Sequence, residues 1–195
     1  MHKFHQELIQ LKNKIIEMGQ FALTMLNESV VSLRDQNLPL ADKVYADRKR
    51  LNQYEVELDE WTLRLIALYQ PMAKDLRTIA CALKTITYLH RIGRYGKDIS
   101  NVTRQTMDRP HFKKLISIPR MEQIVAGMIH DVLAAFDRED LILIQNMEKR
   151  DDEVDELRFE IFRECVSYMM EDPKVISQGA HYLMVARYLE RCGDH

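Results

Sequence analysis

Four carboxylates in the C-terminal part of the chain stand out by type and spacing. One heptad on from Leu183 lies Glu190, and one heptad on from Ile144 lies Asp151, so both acids fall in core-facing or half-buried helical register. Each has a second acid four residues later, Asp155 after Asp151 and Asp194 after Glu190. Residues at that spacing share a helix face, and like charges there repel. An ionised acid in a buried position costs several kcal/mol unless it is paired. Two such pairs on helices that pack together make a four-carboxylate cluster that calls for cations.

Three chemistries answer that description. A salt-bridge network is the first, because Arg150, Arg158, Arg187 and Arg191 lie nearby in sequence. The second is a metal site: hard oxygen ligands suit iron, manganese, magnesium or calcium, and zinc if His195 joins. An enzymatic acid/base pair is the third. Against it, the chain has no Ser/His/Asp set, Gly-rich phosphate loop or HExxH. A ferritin-like di-iron centre needs Glu-x-x-His, and no histidine here has Glu three residues before it. No catalytic and no organic-cofactor residues are therefore assigned.

The elements that must position these acids are helices. Phe4, Leu8, Leu11, Ile15, Met18, Ala22 and Met25 alternate by four and three, which predicts a helix running to about Arg34. Asn37 then offers an N-cap, with Pro39 in the first turn of a second helix. Val44, Leu51, Tyr54, Leu58, Trp61, Leu65 and Leu68 form its seam, and it stops at Gln70-Pro71, since the residue before proline is pushed out of helical geometry. A third helix carries Leu76, Ile79, Leu83 and Ile86. The stretch from about Arg104 to Pro119 lacks periodicity and reads as the link between halves. Beyond it Met121, Val125, Met128 and Val132 predict a fourth helix, with a break at Asp137–Asp140. Ile144, Met147, Val154, Leu157 and Ile161 predict a fifth. Asp172-Pro173 opens a sixth, with Ile176, Leu183 and Ala186. Residues 87–99 line up with 187–195, and Gln70-Pro71 with Asp172-Pro173. The expected fold is all-α: a tandem repeat of two antiparallel three-helix bundles, residues 1–105 and 116–195.

Bulk properties narrow the function classes. A net charge of -2 with 30% charged residues gives no basic face for nucleic acid. No apolar run approaches a membrane span and the N-terminus has no signal-peptide core, so a soluble, cytoplasmic protein is expected. Cys81, Cys165 and Cys192 are unpaired by spacing and read as small buried residues of a reducing compartment. Most of the methionines lie on the seams and read as core, Met169-Met170 excepted; Trp61 reads as a core anchor. Tyr88 and Tyr95, seven apart, could line a partner groove.

Three segments carry a family resemblance. ARYLERCGDH (186–195) resembles the LERIGDH signature of the PhoU family. QPMAKDLRTIACALK resembles the segment that opens that family's third helix, and KRDDEVDELRFEIF its second-helix motif with two acids four apart. The resemblance runs from the N-terminal MHKFHQELIQ to the last residue. It implies a six-helix fold and a non-enzymatic regulator of phosphate homeostasis. Such a protein restrains a phosphate ABC transporter and represses the phosphate regulon through a sensor histidine kinase. It does so by contact, as a homodimer at the inner face of the membrane. The resemblance also implies a metal cluster, often iron, on Asp151, Asp155, Glu190 and Asp194.

The first repeat departs from that pattern. At its matching positions stand Arg48, Asn52, His90 and Arg94, so no metal is expected there. An Arg48–Asp or Arg94–Asp98 pair is expected instead, with His90 bonded to a carbonyl or an acid. The last helix, which in the family runs on past GDH, stops at His195. Two further readings stay open: a helical metal-binding or metal-storage protein, and a PhoU-like regulator of a different transporter.

Overall fold

The computed structural model describes residues 2–195, and among them every regular element is helical. Six α-helices follow one another: α1 His2–Arg34, α2 Leu38–Tyr69, α3 Lys74–Thr106, α4 Ser117–Arg138, α5 Met147–Glu171 and α6 Ile176–Asp194. Local chemistry accounts for their ends. Asn37 caps α2, its side-chain oxygen accepting from the Leu40 N–H at 3.1 Å. At the other end Gln70 turns left-handed (φ 45°) and returns its N–H to the Ile66 carbonyl. Glu139 closes α4 in the same way (φ 54°). Asp140 and Asp172 each cap a short 3-10 turn, Leu141–Ile144 and Pro173–Val175, that leads into α5 and α6.

The helices group as α1–α3 and α4–α6, with α1 against α4 and α3 against α6, and one hydrophobic core runs through both groups. Within the first group α1 and α3 are parallel: the Met25 backbone meets Gly96, and Ser32 Oγ lies 3.1 Å from Thr103 Oγ1. All the proposed seam residues of α1 pack in or against the core. Elsewhere the seams need correction. Leu68, Leu76, Val132 and Ile176 are exposed, and Ile144 belongs to a 3-10 turn, not to α5. The buried stripe of α3 instead runs through Ile79, Ala82, Ile86, Leu89 and Ile92. Cys81 is exposed, whereas Cys165 and Cys192 are buried; burial pushes the Cys165 thiol up to about 11, so it stays protonated and inert. Trp61 is only half-buried but packs on the core as expected.

The irregular link is shorter than its sequence suggests. Arg104–Thr106 belong to α3 and Pro119 to the first turn of α4, which leaves residues 107–116. Side chains from both groups strap this link down. Gln36 Nε2 donates to the Arg109 carbonyl at 2.6 Å, and Gln178 bonds both the Pro110 carbonyl and the Phe112 N–H. Lys113, almost wholly buried, forms an ion pair with Glu164.

One buried acid has no sequence signal. Glu122 on α4 is 6% exposed, its Oε1 has no hydrogen-bond partner, and desolvation alone holds its pKa up. A raised carboxyl pKa in the folded state means that ionisation opposes folding. The stability is complete below the unfolded-state pKa and falls as pH rises through the folded-state value. Glu122→Gln is therefore expected to gain about 1–2 kcal/mol at neutral pH and nothing in acid. Urea midpoints measured across that range check it, and a gain that persists unchanged into acid would sink the explanation.

Candidate functional site

The four acids of the second half come together where α5 and α6 pack. Asp151 is half-buried, and one of its oxygens lies 3.6 Å from where a side chain on Gly193 would begin, an ordinary contact that places it against α6. Glu190 is buried, as its seam register requires, while Asp155 and Asp194 are exposed at the rim. The acids feel one another. Asp151 is held above the usual carboxylate range by desolvation, then by Asp194 and Asp155. Desolvation also raises Glu190; Arg187 opposes that, and Asp194 adds to it.

Arginines answer three of these charges and, among the described residues, leave Asp151 without a cation partner. Arg187 Nη1 donates to both Glu190 oxygens, at 2.6 and 2.8 Å. Arg158 Nε lies 3.8 Å from Glu190 Oε1 and 3.8 Å from Asp155 Oδ1. Arg191 reaches Asp194 at 3.8 Å, and Arg150 turns away to Asp131 at 2.7 Å. Among the described residues no three His, Cys, Asp or Glu side chains stand close enough together to hold a metal ion. As arranged, the donors are not gathered into a metal-binding group, and the Arg187 guanidinium already sits on both oxygens of the buried acid.

The matching junction of the first half, between α2 and α3, is built with opposite polarity. His90 occupies the place of Glu190; its Nε2 lies 2.9 Å from Asn52 Oδ1 and its Nδ1 3.1 Å from Glu55 Oε1. The expected histidine bonded to a carbonyl or an acid is thus found. Burial depresses its pKa, Glu55 opposing and Arg94 reinforcing that shift. The expected Arg48–Asp and Arg94–Asp98 pairs do not form. Asp98 pairs with Lys97 at 2.5 Å, and Arg48 lies over the Tyr45 ring instead. Glu55 and Asp59 were missed in the sequence, although they repeat the four-residue acid spacing of Asp151 and Asp155. Desolvation raises Asp59, with Glu55 adding to it. The first half therefore keeps acids at its junction, on later turns of α2 than Arg48 and Asn52.

Aromatic rings join the two junctions. Tyr95 stacks on Tyr188 at 5.5 Å, and Tyr88 on His195 at 5.3 Å, across the α3–α6 contact. Tyr95 is thereby committed within the molecule. Tyr88 also borders an apolar groove of about 1030 Å³ between α3 and α4, together with Cys81, Val132 and Phe136. No helix lies over that groove among the described residues, which explains the exposure of Val132 and Cys81.

Comparison with known proteins bears on the whole chain. A family model described as the PhoU domain matches residues 15–103 and again 118–195. A phosphate-specific transport system accessory protein PhoU homolog of Caulobacter vibrioides is 38% identical over 193 residues, 98% of this chain and 84% of that one. The phosphate-specific transport system accessory protein PhoU of Escherichia coli is 33% identical over 98% of this chain and 80% of its own length. The crystal structure of PhoU from Pseudomonas aeruginosa superposes with a TM-score of 0.94 at 32% identity, covering 98% of this chain and 92% of that one.

Proposed function

The chain belongs to the PhoU family, and on that premise we propose that it is the accessory, regulatory protein of a phosphate-specific transport system. The observation that carries this reading is the double match of the PhoU domain, one copy to each three-helix group, together with relatives named for that role. The architecture suits a protein that works by contact. Its helices present long faces, and among the described residues none is long and apolar enough to cross a membrane. The finer reading is that it holds down phosphate uptake and phosphate-regulon signalling from the cytoplasmic side, as a homodimer. Its contacts would be the ABC transporter and a sensor histidine kinase. No catalytic step is part of this reading. The metal-storage reading is not adopted, since arginines already pair with three of the four clustered acids.

Deleting the protein is expected to raise phosphate uptake and a phosphate-starvation reporter severalfold in phosphate-rich medium. Affinity capture from the same medium is expected to bring down a transporter subunit or the kinase. An unchanged reporter and unchanged uptake would remove this function, and capture of a different transporter would transfer the role to that system.

A further inference from the structure

We infer that Arg187 and Arg158 are the resident counter-cations of Glu190 and Asp155, so that the acid cluster between α5 and α6 holds no metal ion while they are in place, although Asp151 has no cation of its own among the described residues. Three of its four acids have an arginine one helical turn away on their own helix: Asp155 with Arg158, Glu190 with Arg187, and Asp194 with Arg191. Such pairs form within single helices, before α5 and α6 meet. The buried carboxylate has the tightest pair, both oxygens on one guanidinium nitrogen. Arg158 then stands between the helices, its buried Nε 3.8 Å from an α5 acid and 3.8 Å from an α6 acid and hydrogen-bonded to neither. A metal ion on these oxygens meets a guanidinium already bound there, and so binds against its positive charge.

The first half closes its own junction with a histidine–acid contact between α2 and α3. There α2 supplies the acid, Glu55, and α3 the base, His90; in the second half α5 supplies Arg158 and α6 supplies Glu190. Each junction thus holds a contact between a basic and an acidic side chain of two helices, the base being the cation Arg158 in the second half and a burial-depressed imidazole in the first. This inference does not rest on the transport reading and survives or fails independently of it.

Elemental analysis and thermal unfolding of the purified full chain test it, before and after dialysis against EDTA and after adding manganese(II), iron(II) or zinc(II). The wild type is expected to hold far less than one metal per chain, to keep its Tm after EDTA and to gain none with added metal. Arg187→Gln is expected to lower Tm, to raise metal affinity at least tenfold and to recover Tm when manganese(II) is added. The inference is overturned if the wild type carries stoichiometric metal whose removal lowers Tm, with Asp151→Asn reproducing that loss. It is equally overturned if Arg187→Gln folds with an unchanged Tm and no gain in metal affinity. Should Arg187→Gln fail to fold, the metal content and EDTA response of the wild type decide alone.

Discussion

A Gly96→Val chain is expected to lose about 3 kcal/mol of stability and to reach its urea midpoint correspondingly earlier. The reason is backbone, not side chain. A Cβ on Gly96 would stand 2.9 Å from the Met25 carbonyl carbon and 3.0 Å from the Leu26 nitrogen, atoms of α1 that cannot swing aside. Room must come from moving α3 off α1, which opens the core around Met25, Leu26 and Ile99 and pulls apart Ser32 and Thr103. Gly127 is the internal control, since a Cβ there meets nothing nearer than Arg150 Nη1 at 4.0 Å. Gly127→Ala should therefore show the ordinary helix-propensity gain of just under about 1 kcal/mol. If both glycines respond alike, close approach of α1 and α3 is not what Gly96 provides.

The second large effect is expected at Tyr182, the largest fully buried side chain. Tyr182→Ala should cost about 4 kcal/mol, the usual loss for emptying an aromatic site in a core. Tyr182→Phe should cost only about 1 kcal/mol, which isolates the hydroxyl. That hydroxyl bonds His111 Nδ1, and the other ring nitrogen of His111 lies 3.1 Å from the Arg34 carbonyl. Because a carbonyl can only accept, His111 carries its proton on Nε2 and accepts a hydrogen bond from the Tyr182 hydroxyl at Nδ1. Burial raises the Tyr182 pKa, so the phenol remains a donor throughout the physiological range. The Phe112 ring stacks on Tyr182 at 5.2 Å. One side chain of α6 therefore anchors the link, and through it the end of α1. Hydrogen exchange in residues 107–116 should quicken in Tyr182→Phe while the middle of α2 stays protected. Uniform quickening across the chain would mean that the hydroxyl supports global stability only.

Helix number, order and turns were legible in the sequence because their causes are local. Asn37 with Pro39, Gln70 before Pro71, and Asp172 before Pro173 all act within a few residues, and each marks a real boundary. The α1 seam was legible for a similar reason, since α1 touches both groups and buries one stripe along most of its length. The four acids of the second half were legible as well, as core register broken by charge. Their arginines were visible as neighbours, but not their assignments. Arg150 goes to Asp131 on α4, and only Arg187 closes on the buried carboxylate.

What tertiary structure alone decided is which rungs of neighbouring helices face each other, and which faces stay uncovered. A helix repeats its face every three or four residues, so the seam of α2 by itself offers Asn52, Glu55 and Asp59 equally well to α3. The axial offset between α2 and α3, with Gly93 seated against Leu51, brings Asn52 and Glu55 to His90. Likewise Val132 has core spacing but no helix over it, because burial depends on the neighbour and not on the period. The sequence by itself therefore determined a six-helix repeat and a set of charges inside it. Packing determined which of those charges meet, since only the meeting of α5 with α6 sets Arg158 between Asp155 and Glu190.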